Sequence, residues 1–142
     1  MRILALDIGQ KRIGLAQSDE LKLLAESHGF IERRTDKQAI EEIRSFVSTL
    51  QANTIVVGLP KHMNGDEGEQ AKKARSFAES LALESSIQIV FWDERLTTRQ
   101  VERELIARDM SRSKRKLKRD AAAAEILLQN YLDFLNHHGE KQ

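Results

Sequence analysis

The chain has 142 residues, a hydrophobic fraction of 40%, no cysteine and a formal net charge of +1. That is enough for one domain with a real core, and the missing cysteines exclude disulfides, thiol catalysis and cysteine-based zinc sites. No apolar run reaches the roughly 18 residues of a membrane span and the N-terminus lacks a signal-peptide pattern, so a single cytoplasmic domain is expected.

Ile3 to Gly9 reads as a buried strand, apolar on both faces, with one acid, Asp7, near its end. Burying a carboxylate without a partner costs several kcal/mol, so Asp7 calls for a proton, a hydrogen-bonding partner or a metal. Arg12 to Asp19 reads as a second strand, joined through the turn Gly9-Gln10-Lys11. Leu24 to Arg33 is a weaker third strand, interrupted at His28 and Gly29. Thr35 or Asp36 caps a helix to about Gln51, with Ile40, Ile43, Phe46, Val47 and Leu50 at helical spacing.

Asn53 to Leu59 is a β-branched run of the kind found in buried parallel strands, ended by Pro60. Lys61 to Gly68 is a polar loop with the turn signal Asn64-Gly65. Asp66 and Glu69 have the spacing of a capping box for the next helix, whose apolar row is Ala71, Ala74, Ala78 and Leu81. Ile87 to Trp92 is a strand leading into Asp93-Glu94-Arg95. Thr97 caps a third helix through about Asp109, Met110 to Lys118 is a mobile basic loop without apolar periodicity, and Asp120 to about Asn136 forms the last helix. The order β-β-β-α-β-α-β-α-α predicts an α/β fold: an antiparallel meander continued by parallel strands, in one mixed five-stranded sheet flanked by helices.

Charge is unevenly spread. Between Arg95 and Arg119 there are ten Lys or Arg and three acids, and the rest of the chain is net acidic. Such a segment suits a polyanionic partner, although most charge runs are simply solvated.

Three acidic positions share a geometric expectation. Ligands of open α/β sheets sit beyond the carboxyl ends of the parallel strands, where Asp7 and the Asp93-Glu94 pair belong. Adjacent strand residues face opposite sides, so one of that pair points toward Asp7, and periodicity alone does not say which. Asp120 precedes Ala124, Leu127, Leu128 and Tyr131 in helical register, which extends the core-facing stripe. Alone, Asp120 would be an acid favoured by a helix dipole. Three converging carboxylates repel one another unless cations lie between them, and their hard oxygens suit Mg²⁺ or Mn²⁺ in a phosphodiester-cleaving arrangement. The histidines His28, His62, His137 and His138 form no comparable constellation.

Leu6-Asp7-Ile8-Gly9-Gln10-Lys11-Arg12-Ile13-Gly14-Leu15-Ala16 resembles the opening motif of the YqgF family, the RuvC-like Holliday junction resolvases and pre-16S rRNA nucleases. Gly58-Leu59-Pro60 with Asn64-Gly65, then Asp93 to Thr98, match its next motifs. Asp120 with Ala123-Ala124, and Leu128-Gln129 with Tyr131-Leu132, match the last. The resemblance covers nearly the whole chain. It implies an RNase H-like fold and a metal-dependent nuclease whose catalytic, metal-holding acids are Asp7, Glu94 and Asp120. Lys118-Arg119 depart from the family's apolar pattern, which predicts a more mobile loop before Asp120.

Lys11, Arg12 and Arg95 adjoin the acids and are candidates for phosphate contacts. Arg112, Lys114, Arg115, Lys116, Lys118 and Arg119 put six charges in eight residues, a second nucleic-acid-binding candidate. No aromatic lies among them, so base stacking is not expected there. The expected partners are structured RNA or branched DNA and ribosomal precursor particles. A junction resolvase is expected to be a homodimer that cuts two strands symmetrically, whereas an RNA-processing enzyme need not dimerise, so monomer and homodimer both stay open. Two other readings compete: a non-catalytic nucleic-acid-binding or ribosome-assembly factor, and a nucleotide-binding phosphotransfer domain. The second usually needs two such lobes, and no P-loop is present.

Overall fold

The computed structural model describes residues 2–60, 68–83, 86–93 and 112–138, the last stretch with side chains at 122–136. Its strands are β1 (Arg2–Ile8), β2 (Arg12–Ser18), β3 (Ala25–Glu32), β4 (Ala52–Leu59) and β5 (Gln88–Asp93). Its helices are α1 (Asp36–Leu50), α2 (Glu69–Ala82) and α3 (Arg112–His138). The strands form one sheet in the order β3-β2-β1-β4-β5, antiparallel from β3 to β1 and parallel from β1 to β5. The mixed sheet expected from the alternation of elements is therefore the one observed, with β1 at its centre.

Each face of the sheet is covered separately. Leu4, Leu6, Ile13, Leu15, Ile55, Val57 and Leu59 pack with Ile43 of α1 and Phe77 and Leu81 of α2. Ile3, Ala5, Ala16 and Val56 pack on the other face with Ala124, Leu127, Leu128 and Leu132 of α3. Both alternating rows of β1 are thus buried, which is why its sequence reads as apolar on both faces. Fully burying a leucine such as Leu128 contributes about 1.5–3 kcal/mol.

Thr35 caps α1. Its Oγ1 accepts from the Gln38 amide at 3.0 Å, and the Gln38 side chain accepts from the Thr35 amide at 3.2 Å. The α2 cap differs from expectation: Gly68 is the N-cap and makes no side-chain hydrogen bond, while Asp66 lies outside the described residues. The weakness read at His28-Gly29 is a bulge. Between the pairs Ala16↔Ser27 and Gly14↔Phe30, β3 holds one residue more than β2, and Gly29 has φ +83°. A glycine absorbs that left-handed backbone without steric cost.

The last helix corrects the sequence reading. Arg112 to Arg119, expected as a mobile loop, is helical and continuous with the segment that follows. Lys and Arg are good helix formers, and no Gly or Pro interrupts residues 112–138. The docked apolar turns nucleate the helix, and each added residue then gains a hydrogen bond without a new nucleation cost. The helix expected at Thr97–Asp109 lies outside the described residues.

Candidate nuclease site

Asp7 is half-buried at the carboxyl end of the central strand. It follows Ile3 and Ala5 in the alternation of β1, so it belongs to the face that α3 covers. Opposite it on β2 is Gly14. On the other side, β1 and β4 pair Leu6 with Val57, and one further residue sets Asp7 beside Gly58. Gly58 in turn pairs with Trp92. The rung across the sheet is therefore Phe30–Gly14–Asp7–Gly58–Trp92. The carboxylate stands between two residues that contribute no side chain. Both glycines were visible in the sequence as glycines inside strands, a sign of close approach by a ligand or backbone, but only the register brings them to Asp7.

The turn after Asp7 is held tightly. The Gly9 amide donates to the Arg12 carbonyl at 2.9 Å, and a Cβ on Gly9 would sit 2.7 Å from that oxygen. Only glycine fits, which explains the spacing Asp-x-Gly. Arg33 clasps the same turn twice. Its amide donates to the Lys11 carbonyl at 2.8 Å, and its Nη1 donates to the Gly9 carbonyl at 2.8 Å. Sequence reasoning missed Arg33, because nothing local signals a bond across 24 residues.

Lys11 is exposed in this turn. Arg12 lies two residues before Gly14, on Asp7's face by alternation. Its Nε lies 3.5 Å from the Glu32 carboxylate, and its guanidinium lies 5.6 Å from the Phe30 ring centroid.

Strand β5 separates the two neighbouring acids by row. Val90 and Trp92 pack on the α3 side, whereas Ile89 and Phe91 pack on the α1–α2 side. Asp93 ends the second row. Glu94 continues the first row in sequence, but it lies outside the described residues, as does Arg95. Trp92 stacks edge-on with Tyr131 and Phe134 of α3, at 5.5 and 5.4 Å between centroids. Burial there raises the pKa of Tyr131 above its ordinary value.

Helix α3 runs antiparallel to β1. Gln129 accepts from the Ala25 amide at 2.9 Å and donates to the Leu23 carbonyl at 2.9 Å, and Asn136 donates to the Lys22 carbonyl at 2.9 Å. These anchors lie at the end of the sheet where β1 begins, since Ala25 pairs with Ser18 and Ser18 accepts from the Ile3 amide. Nine residues of helix from Gln129 back to Asp120 span about 14 Å. Four residues of strand from Ile3 to Asp7 span about 13 Å. The backbone of Asp120 thus reaches the Asp7 end of the sheet, one turn before the buried Ala124. The side chains of Asp120, Arg112, Lys114, Arg115, Lys116, Lys118 and Arg119 are outside the described residues. Among the described residues no three His, Cys, Asp or Glu side chains form a metal-binding group.

Comparison with known proteins bears on the family and the fold. The family model described as "RuvX: Holliday junction resolvase" matches residues 1–134. A "Putative pre-16S rRNA nuclease" of Clostridioides difficile is 47% identical over 133 residues, covering 94% of both chains. A relative of the same name from Halothermothrix orenii is 42% identical, covering 98% of this chain and all of its own. Among solved structures, Thermus thermophilus RuvC in complex with a Holliday junction substrate superimposes with a TM-score of 0.60 at 16% identity, covering 98% and 97% of the two chains. Fowlpox virus resolvase with Holliday junction DNA gives 0.60 at 14%, covering 95% and 99%. The fold is thus RuvC-like, of the RNase H type. With a family match over almost all of its length and relatives this similar from end to end, the chain belongs to the RuvX, or YqgF, family of RuvC-like nucleases.

Proposed function

We propose that this protein is a metal-dependent nuclease that hydrolyses phosphodiester bonds in structured nucleic acid. The 142 residues act as one domain in the cytoplasm. The leading role is processing of the pre-16S rRNA 5′ end during ribosome biogenesis, on ribosomal precursor particles, with Holliday junction resolution as the other substrate class. The relatives' names support the first, and the RuvC and fowlpox complexes belong to proteins that bind the second. The carrying observation is the position of Asp7: at the carboxyl end of the central strand, between Gly14 and Gly58, under the same helix that carries Asp120.

In this reading Asp7, Glu94 and Asp120 hold Mg²⁺ or Mn²⁺. A carboxylate donor set between two glycines suits a hard, partly hydrated divalent cation. When bound, such ions supply an activated water and stabilise the leaving oxygen. Arg33 and the Gly9–Arg12 hydrogen bond keep the Asp7 turn in place, so the carboxylate does not reorganise on binding. Lys11, Arg12 and Arg95 orient the phosphate beside the acids. Arg112, Lys114, Arg115, Lys116, Lys118 and Arg119, presented on a helix, follow the backbone without reading sequence.

The test is a cleavage assay with Mg²⁺ or Mn²⁺ on pre-16S rRNA 5′ fragments and four-way DNA junctions, run in parallel with Asp7→Asn. Metal-dependent cleavage of one substrate, lost by orders of magnitude in the folded variant, is expected. Undiminished cleavage by Asp7→Asn, or none of either substrate by the parent protein, refutes the assignment.

A further inference from the structure

On the sheet face opposite Asp7, a cleft of about 430 Å³ opens between α1 and α2, lined by Arg33, Asp36, Lys72, Lys73, Ser76 and Phe77 among others. Its charge is one-sided: three cations and one acid. Arg33 is fixed in place. Its Nε and Nη2 donate to Asp36 Oδ1 at 3.1 and 3.0 Å, Nη1 reaches the Gly9 carbonyl, and the guanidinium lies 5.0 Å from the centroid of the buried Phe77 ring. That leaves an Arg33 guanidinium held rigidly at the head of the cleft. Lys72 and Lys73 differ: both are exposed, and among the described residues neither forms an ion pair. Two adjacent ammonium groups that form no ion pair among the described residues, beside the Ser76 hydroxyl, form an anion-binding surface.

We infer that this cleft is a second backbone-binding site, in which Lys72 and Lys73 take a phosphate of the same nucleic acid, away from the bond that is cut. The inference rests on the nuclease reading above. Arg33 supplies the physical link. It joins the cleft to the Gly9–Arg12 turn at the carboxyl end of β1, so cations run from Lys11 and Arg12 around the end of the sheet to Lys72 and Lys73. A strand passing over that end meets both sets. Exposed, flexible lysines suit a polymer that makes several weak contacts, whereas a small anion would need desolvated donors.

The experiment uses the full chain and the double variant Lys72→Ala/Lys73→Ala, with Lys72→Arg/Lys73→Arg as the charge-retaining control. Arg33 is left intact because it also holds the Gly9 turn. Binding of a short RNA duplex and a DNA duplex is measured across a salt series without divalent metal, and cleavage with it. The alanine pair is expected to lower the log–log salt slope by roughly one to two units and to raise KM while kcat stays near the parent value. The arginine pair is expected to restore the slope. An unchanged slope in a folded double variant, when the parent binds and cleaves, overturns the cleft and leaves the nuclease reading standing. A reduced slope in a protein with no metal-dependent cleavage keeps the cleft and overturns the nuclease. A parent that binds neither duplex overturns both. Thermal protection by inorganic phosphate that requires both lysines, with the duplex slope unchanged, marks a small-anion site and overturns the assignment to a polymer.

Discussion

Gly14 lies directly opposite Asp7 on the neighbouring antiparallel strand, and the β1–β4 register sets Gly58 on the other side. A Cβ on either would stand on the face where the carboxylate must meet its ligand. Gly14→Ala and Gly58→Ala are therefore expected to cut kcat on the order of 10²-fold, the scale set by a displacement near 1 Å at a reacting centre. Global stability is expected to hold, because alanine in a strand costs less backbone entropy than glycine. Steady-state cleavage with a melting curve checks this; full activity in both variants removes the role given to the two glycines.

The two acids after Trp92 separate by the same logic. Trp92 packs toward α3 with Asp7's face, and Phe91 packs toward α1 and α2. Glu94→Gln is expected to abolish metal-dependent cleavage with little loss of stability. Asp93, already engaged within the fold, is expected to lose roughly 1–2 kcal/mol of stability as Asn, the scale of a lost cap-like interaction, with activity retained. Activity lost in a folded Asp93→Asn but kept in Glu94→Gln would reverse the assignment.

Ser18 is the one buried polar residue among the described side chains, 1% exposed, and its Oγ accepts from the Ile3 amide at 2.8 Å. Ser18→Ala leaves that N–H buried without a partner. A loss of about 1–3 kcal/mol is expected by urea unfolding. A value near zero would mean that water replaces the hydroxyl.

Gln51 ends α1 in the left-handed region, with φ 54°, while its amide donates to Ser48 and Val47 carbonyls. A side chain there costs about 1 kcal/mol that glycine avoids. Gln51→Gly should raise the unfolding free energy by up to that amount. The Asp7 site lies at the other end of the sheet, so cleavage should not change.

Asp19 supplies a pH dependence. Its Oδ1 accepts from the Leu24 and Leu23 amides at 3.1 and 2.8 Å, and these bonds, Leu24's first, hold its pKa below the ordinary 3.8. A depressed folded-state pKa contributes stability above the unfolded value, lost as pH falls through the folded one. Asp19→Asn should therefore flatten the stability profile below about pH 4. A profile unchanged there would show that the turn is held by its backbone bonds alone.

Much of this protein was legible in the chain itself. Two apolar rows flanking Asp7 announced a strand buried on both faces, and the Thr35 cap and the row through Ile43 and Val47 placed α1, because period, propensity and capping are local. Asp-x-Gly marked the turn for the same reason: Gly9 closes onto Arg12 only three residues away. The basic stretch before Asp120 carries no apolar periodicity, yet it is helical because helix propensity and continuity with a docked helix decide its state. What remained depended on register between distant strands. That Gly14 and Gly58 flank Asp7, that the Trp92 row shares its face, and that Arg33 reaches Gly9 all follow from pairings set by burial of whole faces. A one-residue slip in any of them would turn the same side chains to the opposite side.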